Sequence, residues 1–233
     1  MSVSPWWERA RASLLDLVFP PHCQACGRAG QWLCDRCIGA VNYLRPPLCV
    51  RCGLQTDGGL DCRACLRHPL PLALDGLRAV AHYDGELRRV IHALKYEHVS
   101  ALAEPLGRML STYLAQHPIP FDLIVPVPLH PERHEDRGFN QAELLAKVIA
   151  RQCGVALNAS ALVRKLNTTP QVGLNETERR RNVRDAFHCA QRLDGLRVLI
   201  VDDVCTTGAT LSECARALHD GGAASSWGLT LAR

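Results

Sequence analysis

Val198-Leu199-Ile200-Val201-Asp202-Asp203-Val204-Cys205-Thr206-Thr207-Gly208-Ala209-Thr210 is the stretch whose reading decides the fold. Its apolar run reads as a buried strand that delivers two adjacent carboxylates at its C-terminal end. The loop Thr206 to Thr210 then opens a helix. In an open α/β sheet, ligands bind at the carboxyl ends of the strands, so this turn is where a site is expected. The loop's backbone N–H groups, its hydroxyls and the helix N-terminus form an anion site suited to a phosphate. Gly208 lets the backbone approach that phosphate closely. Asp202 and Asp203 lie at the right reach to accept hydrogen bonds from the vicinal hydroxyls of a ribose. A plain strand, turn and capped helix accounts for the hydrophobic run and for Thr207, but not for paired acids followed by three threonines and a glycine.

Working outward, Leu196 to Val204 is the strand, Thr210 to Asp220 a helix stopped by Gly221 and Gly222, and Ala224 to Leu231 a last strand. Upstream, Leu77 to Tyr83 reads as a strand. Gly85 to Tyr96 and Ala101 to Gln116 read as helices, with Leu87, Val90, Ile91 and Leu94, then Leu102, Leu106, Met109 and Leu110, on one face. Leu123 to Val127 is a short buried strand, Asn140 to Cys153 a helix and Leu162 to Lys165 a strand. Strands alternating with helices imply an α/β domain over 72–233, with a mostly parallel sheet flanked by helices. Residues 1–71 are different. Trp7, Ala10, Leu14, Leu15 and Val18 sit at helical spacing in a short amphipathic helix over 6–19, ended by Pro20 and Pro21. From Cys23 to Pro71 the chain is rich in Cys, Gly and Pro and too poor in periodic apolar residues to build a core unaided.

The chain has 233 residues, 47% of them hydrophobic, enough for one ordinary domain and a small module. Apolar runs such as Val198 to Val201 stop far short of the roughly 20 residues a membrane-spanning helix needs, so no membrane insertion is expected. Charges interrupt the N-terminus where a secretory signal needs an apolar run, and the expected location is the cytoplasm. In a reducing compartment, twelve cysteines point to metal rather than disulfides. Eight of them form the pairs Cys23/Cys26, Cys34/Cys37, Cys49/Cys52 and Cys62/Cys65. Each pair offers two thiolates to one tetrahedral ion, so two structural zinc ions are expected; redox dithiols and iron–sulfur ligation are the competing readings. Gly27 and Gly53 follow the leading pair of each unit, where a zinc knuckle needs positive φ. First-with-second and third-with-fourth pairing is the simpler arrangement, with an interleaved one left open. His22 and His68 read as exposed histidines, because four-sulfur shells are already complete.

The opening stretch resembles the phosphoribosyl pyrophosphate signature of type I phosphoribosyltransferases. More narrowly, the chain resembles the ComF family of competence-associated proteins. The matching pieces are Leu14 to Cys23, the double zinc ribbon, Tyr83 to Gly85, Leu94 to Tyr96 and Val125 to Gln141. Arg164 to Gln171 and Arg179 to Phe187 complete them. The resemblance implies that the loop after the Val125 strand is a pyrophosphate loop and that Thr168 to Gln171 occupies the place of a mobile loop. Arg133 and Arg137, four residues apart, then present guanidinium groups to a diphosphate; read from the residues alone, helical surface arginines fit as well. The ligand implied is phosphoribosyl pyrophosphate or a nucleotide, with magnesium accompanying phosphoribosyl pyrophosphate.

Net charge is only +4 and makes no case for a nucleic acid. The resemblance does, since ComF-like proteins are implied in natural transformation or the use of external DNA. Single-stranded DNA and DNA-uptake or recombination proteins are the partners implied. Arg164, Lys165, Arg179, Arg180, Arg181 and Arg184, with Glu176 and Glu178 as counterweights, form the cluster that would track its phosphates; unaided, such a run reads as a solvated face. Trp6, Trp7, Trp32, Tyr43 and Phe139 are the candidate stacking residues, though each reads equally well as a packing residue. Purine-salvage enzymes of this fold carry an aspartate where Thr206 stands, and sequence after the last strand often supplies their base-selecting hood, whereas this chain ends at Arg233. Ligand binding is therefore expected ahead of turnover, with an active phosphoribosyltransferase of nucleotide salvage, or an assembly module with a vestigial pocket, as alternatives. No catalytic residue is assigned, and Cys205 reads as core packing.

Overall fold

The computed structural model describes residues 20–67, 73–164 and 186–233. The helix expected over 6–19, the linker Pro69 to Pro71, His68, the loop Thr168 to Gln171, and Lys165, Arg179, Arg180, Arg181 and Arg184 lie outside the described residues. Two one-turn helices, α1 (Asp35–Gly39) and α2 (Arg63–Arg67), belong to the cysteine module. Then come β1 (Gly76–Ala81), α3 (Gly85–Tyr96), α4 (Ala103–Gln116), β2 (Leu123–Pro126), α5 (Pro131–Arg137), α6 (Gln141–Cys153) and β3 (Ala156–Leu157). The chain closes with β4 (Leu162–Arg164), β5 (Phe187–Cys189), β6 (Arg197–Val204), α7 (Ala209–Asp220) and β7 (Ser225–Ala232). The strands form a five-stranded sheet in the order β1-β7-β6-β2-β3, parallel throughout; β4 and β5 pair antiparallel in a separate ribbon.

β6 is the middle strand, and its apolar run is buried on both faces, as a central parallel strand requires. Val198 and Ile200 join Leu211, Cys214, Ala215 and Leu218 of α7 in one core. Leu199 and Val201 join Leu87, Val90, Ile91 and Leu94 of α3, together with residues of α4 and α6, in the other. The helix α5 carries no apolar residue and hence no periodic signal. It starts on Pro131 and ends at Gly138, whose φ of 72° closes the last turn in the left-handed region. Asn140 caps α6 by accepting from the Ala142 N–H, while its Nδ2 donates to the Val127 carbonyl and fastens the loop after β2.

The cysteines gather as Cys23, Cys26, Cys34 and Cys37 and as Cys49, Cys52, Cys62 and Cys65, their sulfurs within 4.8 Å of one another in each group. Pairing is therefore sequential. Cys26 and Cys34 stand 3.7 Å apart, Cys52 and Cys62 3.5 Å, close to the edge of about 3.8 Å in a tetrahedron with zinc–sulfur bonds of about 2.3 Å. Four thiolates per group and nothing else fit structural zinc. Backbone N–H groups outweigh burial at Cys23 and Cys49, bringing them to about 6 and about 7, whereas burial and neighbouring sulfurs raise Cys37, Cys52 and Cys65.

The module also seals the sheet, because β1 is an edge strand that would otherwise expose its backbone groups. The Leu77 N–H donates to Arg51 O at 2.8 Å, Leu44 N–H to Val80 O at 3.0 Å and His82 N–H to Asn42 O at 2.9 Å. Gly53 sits at this seam with φ 69°, and a Cβ there would meet Leu77 O at 2.8 Å. Elemental analysis is expected to give two zinc ions per chain. Cys52→Ser should leave one and speed hydrogen exchange at the Leu77 amide; an unchanged zinc count, or a Leu77 amide that stays protected, would contradict this account.

Candidate functional site

Successive residues of a strand face opposite ways, so the two acids at the end of β6 part company. Asp203 follows Leu199 and Val201 toward α3, where Lys95 in the last turn of that helix meets its Oδ1 at 2.8 Å. Both side chains are well covered, 17% exposed for Lys95 and 4% for Asp203. Burial works against the ammonium, but the charge of Asp203 overrides it and holds the Lys95 pKa above its ordinary value. Asp203 Oδ2 is buried with no hydrogen-bond partner among the described residues. Asp202 follows Val198 and Ile200 to the other side, with Arg164 and Cys214 as electrostatic neighbours. Its burial and the charge of Asp203 push its carboxyl up to about 7, against the pull of Lys95 and of the Asp203 N–H that donates to its Oδ1 at 2.8 Å.

Past the acids the chain turns through Gly208, whose φ of 81° caps the twelve-residue α7. Thr207 Oγ1 accepts from the Ala209 N–H at 3.3 Å. Thr206 is exposed and Thr207 and Thr210 half-buried, so three hydroxyls stand around the first turn of α7. Across from them the loop after β2 leads into α5. Arg137 of that helix is buried; it donates to Gln141 Oε1 at 2.9 Å and lies over the Tyr96 ring, 5.0 Å from its centroid. These groups enclose a cavity of about 160 Å³.

Asp202, Asp203, Thr206, Thr207, Gly208, Ala209, Thr210, Arg133 and Arg137 all line that one cavity. Arg133 and Arg137 do sit on a helix, yet one that faces the cavity. Arg164, read from the sequence as part of a nucleic-acid edge, lines the same cavity from β4, its guanidinium 5.5 Å from the Phe187 ring centroid. Burial and the nearby charge of Arg133 lower its pKa. Cys205 also borders the cavity, but burial raises its thiol to about 11, which suits core packing and not nucleophilic chemistry. Lys95, Tyr96 and Gln141 are lining residues to which sequence reasoning assigned no role. A signal for Lys95 existed: it stands four residues after buried Ile91, so the helix period carries it to the edge of the buried face.

Magnesium is expected from the sequence only as a companion of phosphoribosyl pyrophosphate. Among the described residues only the two cysteine groups bring three or more ligating side chains together, and Asp203 Oδ1 carries the Lys95 ammonium.

A parallel sheet with an acid pair and threonine loop at the end of its central strand, joined to two four-cysteine sites, defines a phosphoribosyltransferase-type domain carrying a double zinc ribbon. The family described as the double zinc ribbon domain matches residues 14–66, and that described as the phosphoribosyl transferase domain matches residues 138–226. The DNA utilization protein YhgH of Salmonella typhi is 38% identical over 199 residues, covering 82% of this chain and 86% of that protein. Competence protein F of Haemophilus influenzae is 31% identical, covering 80% and 84%. Competence protein ComFC of Bacillus subtilis is 30% identical, covering 83% and 80%. The chain belongs to the ComF family.

Because folding raises the Asp202 pKa, the folded protein holds that proton more tightly than the unfolded chain. The resulting stabilisation is fully present below about pH 4 and is lost as pH rises through about 7. Asp202→Asn should remove this component, making the ligand-free protein more stable than wild type by roughly 1–3 kcal/mol at pH 8 and no more stable near pH 4. Denaturant melts at the two pH values test it, and equal differences at both would show that Asp202 is not strained by its charge.

Proposed function

We propose that the chain binds phosphoribosyl pyrophosphate or a nucleotide in the cavity at the end of β6 and serves, in the cytoplasm, the utilisation of DNA brought into the cell. The observation that carries the ligand reading is the single cavity combining an acid pair, a threonine loop at a helix N-terminus and four cationic side chains, Lys95, Arg133, Arg137 and Arg164. Asp202 and Asp203 accept the vicinal hydroxyls of the ribose, and the unpartnered Asp203 Oδ2 gains the donor that a buried oxygen needs. Thr206, Thr207, Gly208, Ala209 and Thr210 receive the 5-phosphate through backbone N–H groups and hydroxyls at the positive end of α7. Arg133 and Arg137 take a second anionic group, where planar guanidinium forks suit a diphosphate.

The DNA role is supported by the names of the relatives, which are a DNA utilization protein and two competence proteins. Single-stranded DNA is the form proposed, contacted at its phosphates by Arg164, Lys165, Arg179, Arg180, Arg181 and Arg184, with proteins of DNA uptake or recombination as partners. Arg164, common to that cluster and to the cavity lining, would then join the two sites.

Isothermal titration with phosphoribosyl pyrophosphate should show binding that Thr207→Val weakens about five- to tenfold, the worth of one hydroxyl contact. Pyrophosphate release that appears only with an added nucleobase would turn the reading to nucleotide salvage. For DNA, fluorescence anisotropy across a salt series should show single-strand affinity falling with a log–log slope of about −0.7 per phosphate contacted. Replacing Arg179, Arg180 and Arg181 together by alanine should flatten that slope. Absence of binding at low salt would exclude DNA contact by the isolated chain.

A further inference from the structure

We propose that His98 is a positioning residue for the diphosphate end of the pocket: its imidazole holds Arg137 in place for the ligand's second anionic group. The inference rests on the phosphoribosyl reading of the cavity. It adds a residue outside the cavity lining on which binding of the diphosphate, and not of the 5-phosphate, depends.

His98 stands in the turn between α3 and α4, just past the end of α3, with φ 57°, and among the described residues it is the one residue other than glycine with a positive φ. Glycine is the usual choice just past a helix end, so a histidine there carries a backbone cost that calls for a role for its side chain. That side chain reaches α5: His98 Nδ1 lies 3.2 Å from the Arg137 carbonyl. A carbonyl oxygen only accepts, so Nδ1 is the nitrogen that carries the proton. The helix α5 has no apolar residue to seat it, and Arg137 is its one buried residue. Three contacts grip that residue. His98 takes its main chain, the Tyr96 ring centroid lies 5.0 Å from its Cζ, and Gln141 Oε1 accepts from its Nη1 at 2.9 Å. The first two come from the same end of α3 that sends Lys95 to Asp203. A guanidinium recognises a diphosphate through the fixed geometry of its fork, so a loosened Arg137 loses affinity for the second anionic group. The 5-phosphate is received elsewhere, by the threonine loop at the first turn of α7. A histidine present only to finish the turn would matter equally to both groups, or to neither.

The test is isothermal titration of the zinc-loaded full chain with phosphoribosyl pyrophosphate and, as a probe that lacks the diphosphate, with ribose 5-phosphate, both in millimolar magnesium. His98 is exposed, so replacing it removes no core packing. His98→Gly keeps the left-handed turn without the donor. It should weaken phosphoribosyl pyrophosphate about three- to tenfold, the worth of one hydrogen bond, and change ribose 5-phosphate by less than about twofold. His98→Asn should bind phosphoribosyl pyrophosphate within about twofold of wild type, because asparagine tolerates positive φ and its amide Nδ2 is attached at Cγ, as the imidazole Nδ1 is. Unchanged phosphoribosyl pyrophosphate affinity in the glycine variant overturns the inference and leaves the pocket reading intact. Equal weakening of both ligands, or an asparagine variant as weak as the glycine one, overturns it as well. If ribose 5-phosphate binds too weakly to follow, the asparagine comparison decides. No wild-type binding of phosphoribosyl pyrophosphate removes the pocket reading and the inference together.

Discussion

The alternation of side chains along β6, in a position where both faces of the strand are buried, governs the rest of the architecture. Because neighbours face opposite ways, four apolar residues knit two separate cores to one strand, with α3, α4 and α6 on one side and α7 on the other. The same alternation carries past the apolar run into Asp202 and Asp203. Two carboxylates side by side in sequence therefore end in different surroundings, one against the ammonium of α3 and the other toward β4 and α7. The site is a continuation of the core by other residue types, and its geometry is as fixed as the packing beneath it.

This construction sets stability against binding. A buried ion pair contributes little net stability, since desolvation offsets its attraction, yet removing one partner typically costs about 3–5 kcal/mol. Lys95 and Asp203 are thus locked to each other, and the charge left over falls on Asp202, whose carboxyl is pushed up to about 7. An acid held so far from its ordinary range and a buried oxygen with no partner among the described residues are costs of the ligand-free fold that a ligand bearing hydroxyl donors would relieve.

The zinc module answers a different problem. A parallel sheet ends in exposed backbone groups, and here the edge at β1 is closed by chain from the module instead of by a helix or another strand. Arg233, just past β7, donates to the Cys52 carbonyl at 3.0 Å, and Arg89 of α3 donates to the Ala25 carbonyl at 2.9 Å, so both ribbons are tied to the domain. Folding of the metal module and completion of the sheet are in this sense one event.

Much of this was readable from the sequence, and for local reasons. Apolar period fixed the long helices, the cysteine spacing fixed the ligands, and the adjacency of two acids to a threonine loop located the site, because each is a relation among near neighbours in the chain. Sequential pairing of the cysteine groups was the simpler of two arrangements in the sequence, and only the folded module decided between them. The helix α5 and the short strands β3 and β5 were not readable, since none has an apolar period long enough to register. Lys95 lies more than a hundred residues from Asp203, and its partnership exists only because α3 packs on the face to which Asp203 points. Arg164, grouped by sequence with the basic residues that follow it, is turned by the β4–β5 ribbon into the cavity. Sequence determined which chemical groups the chain owns and where its strands end; only the packing of helices on the two faces of β6 decided which charges meet.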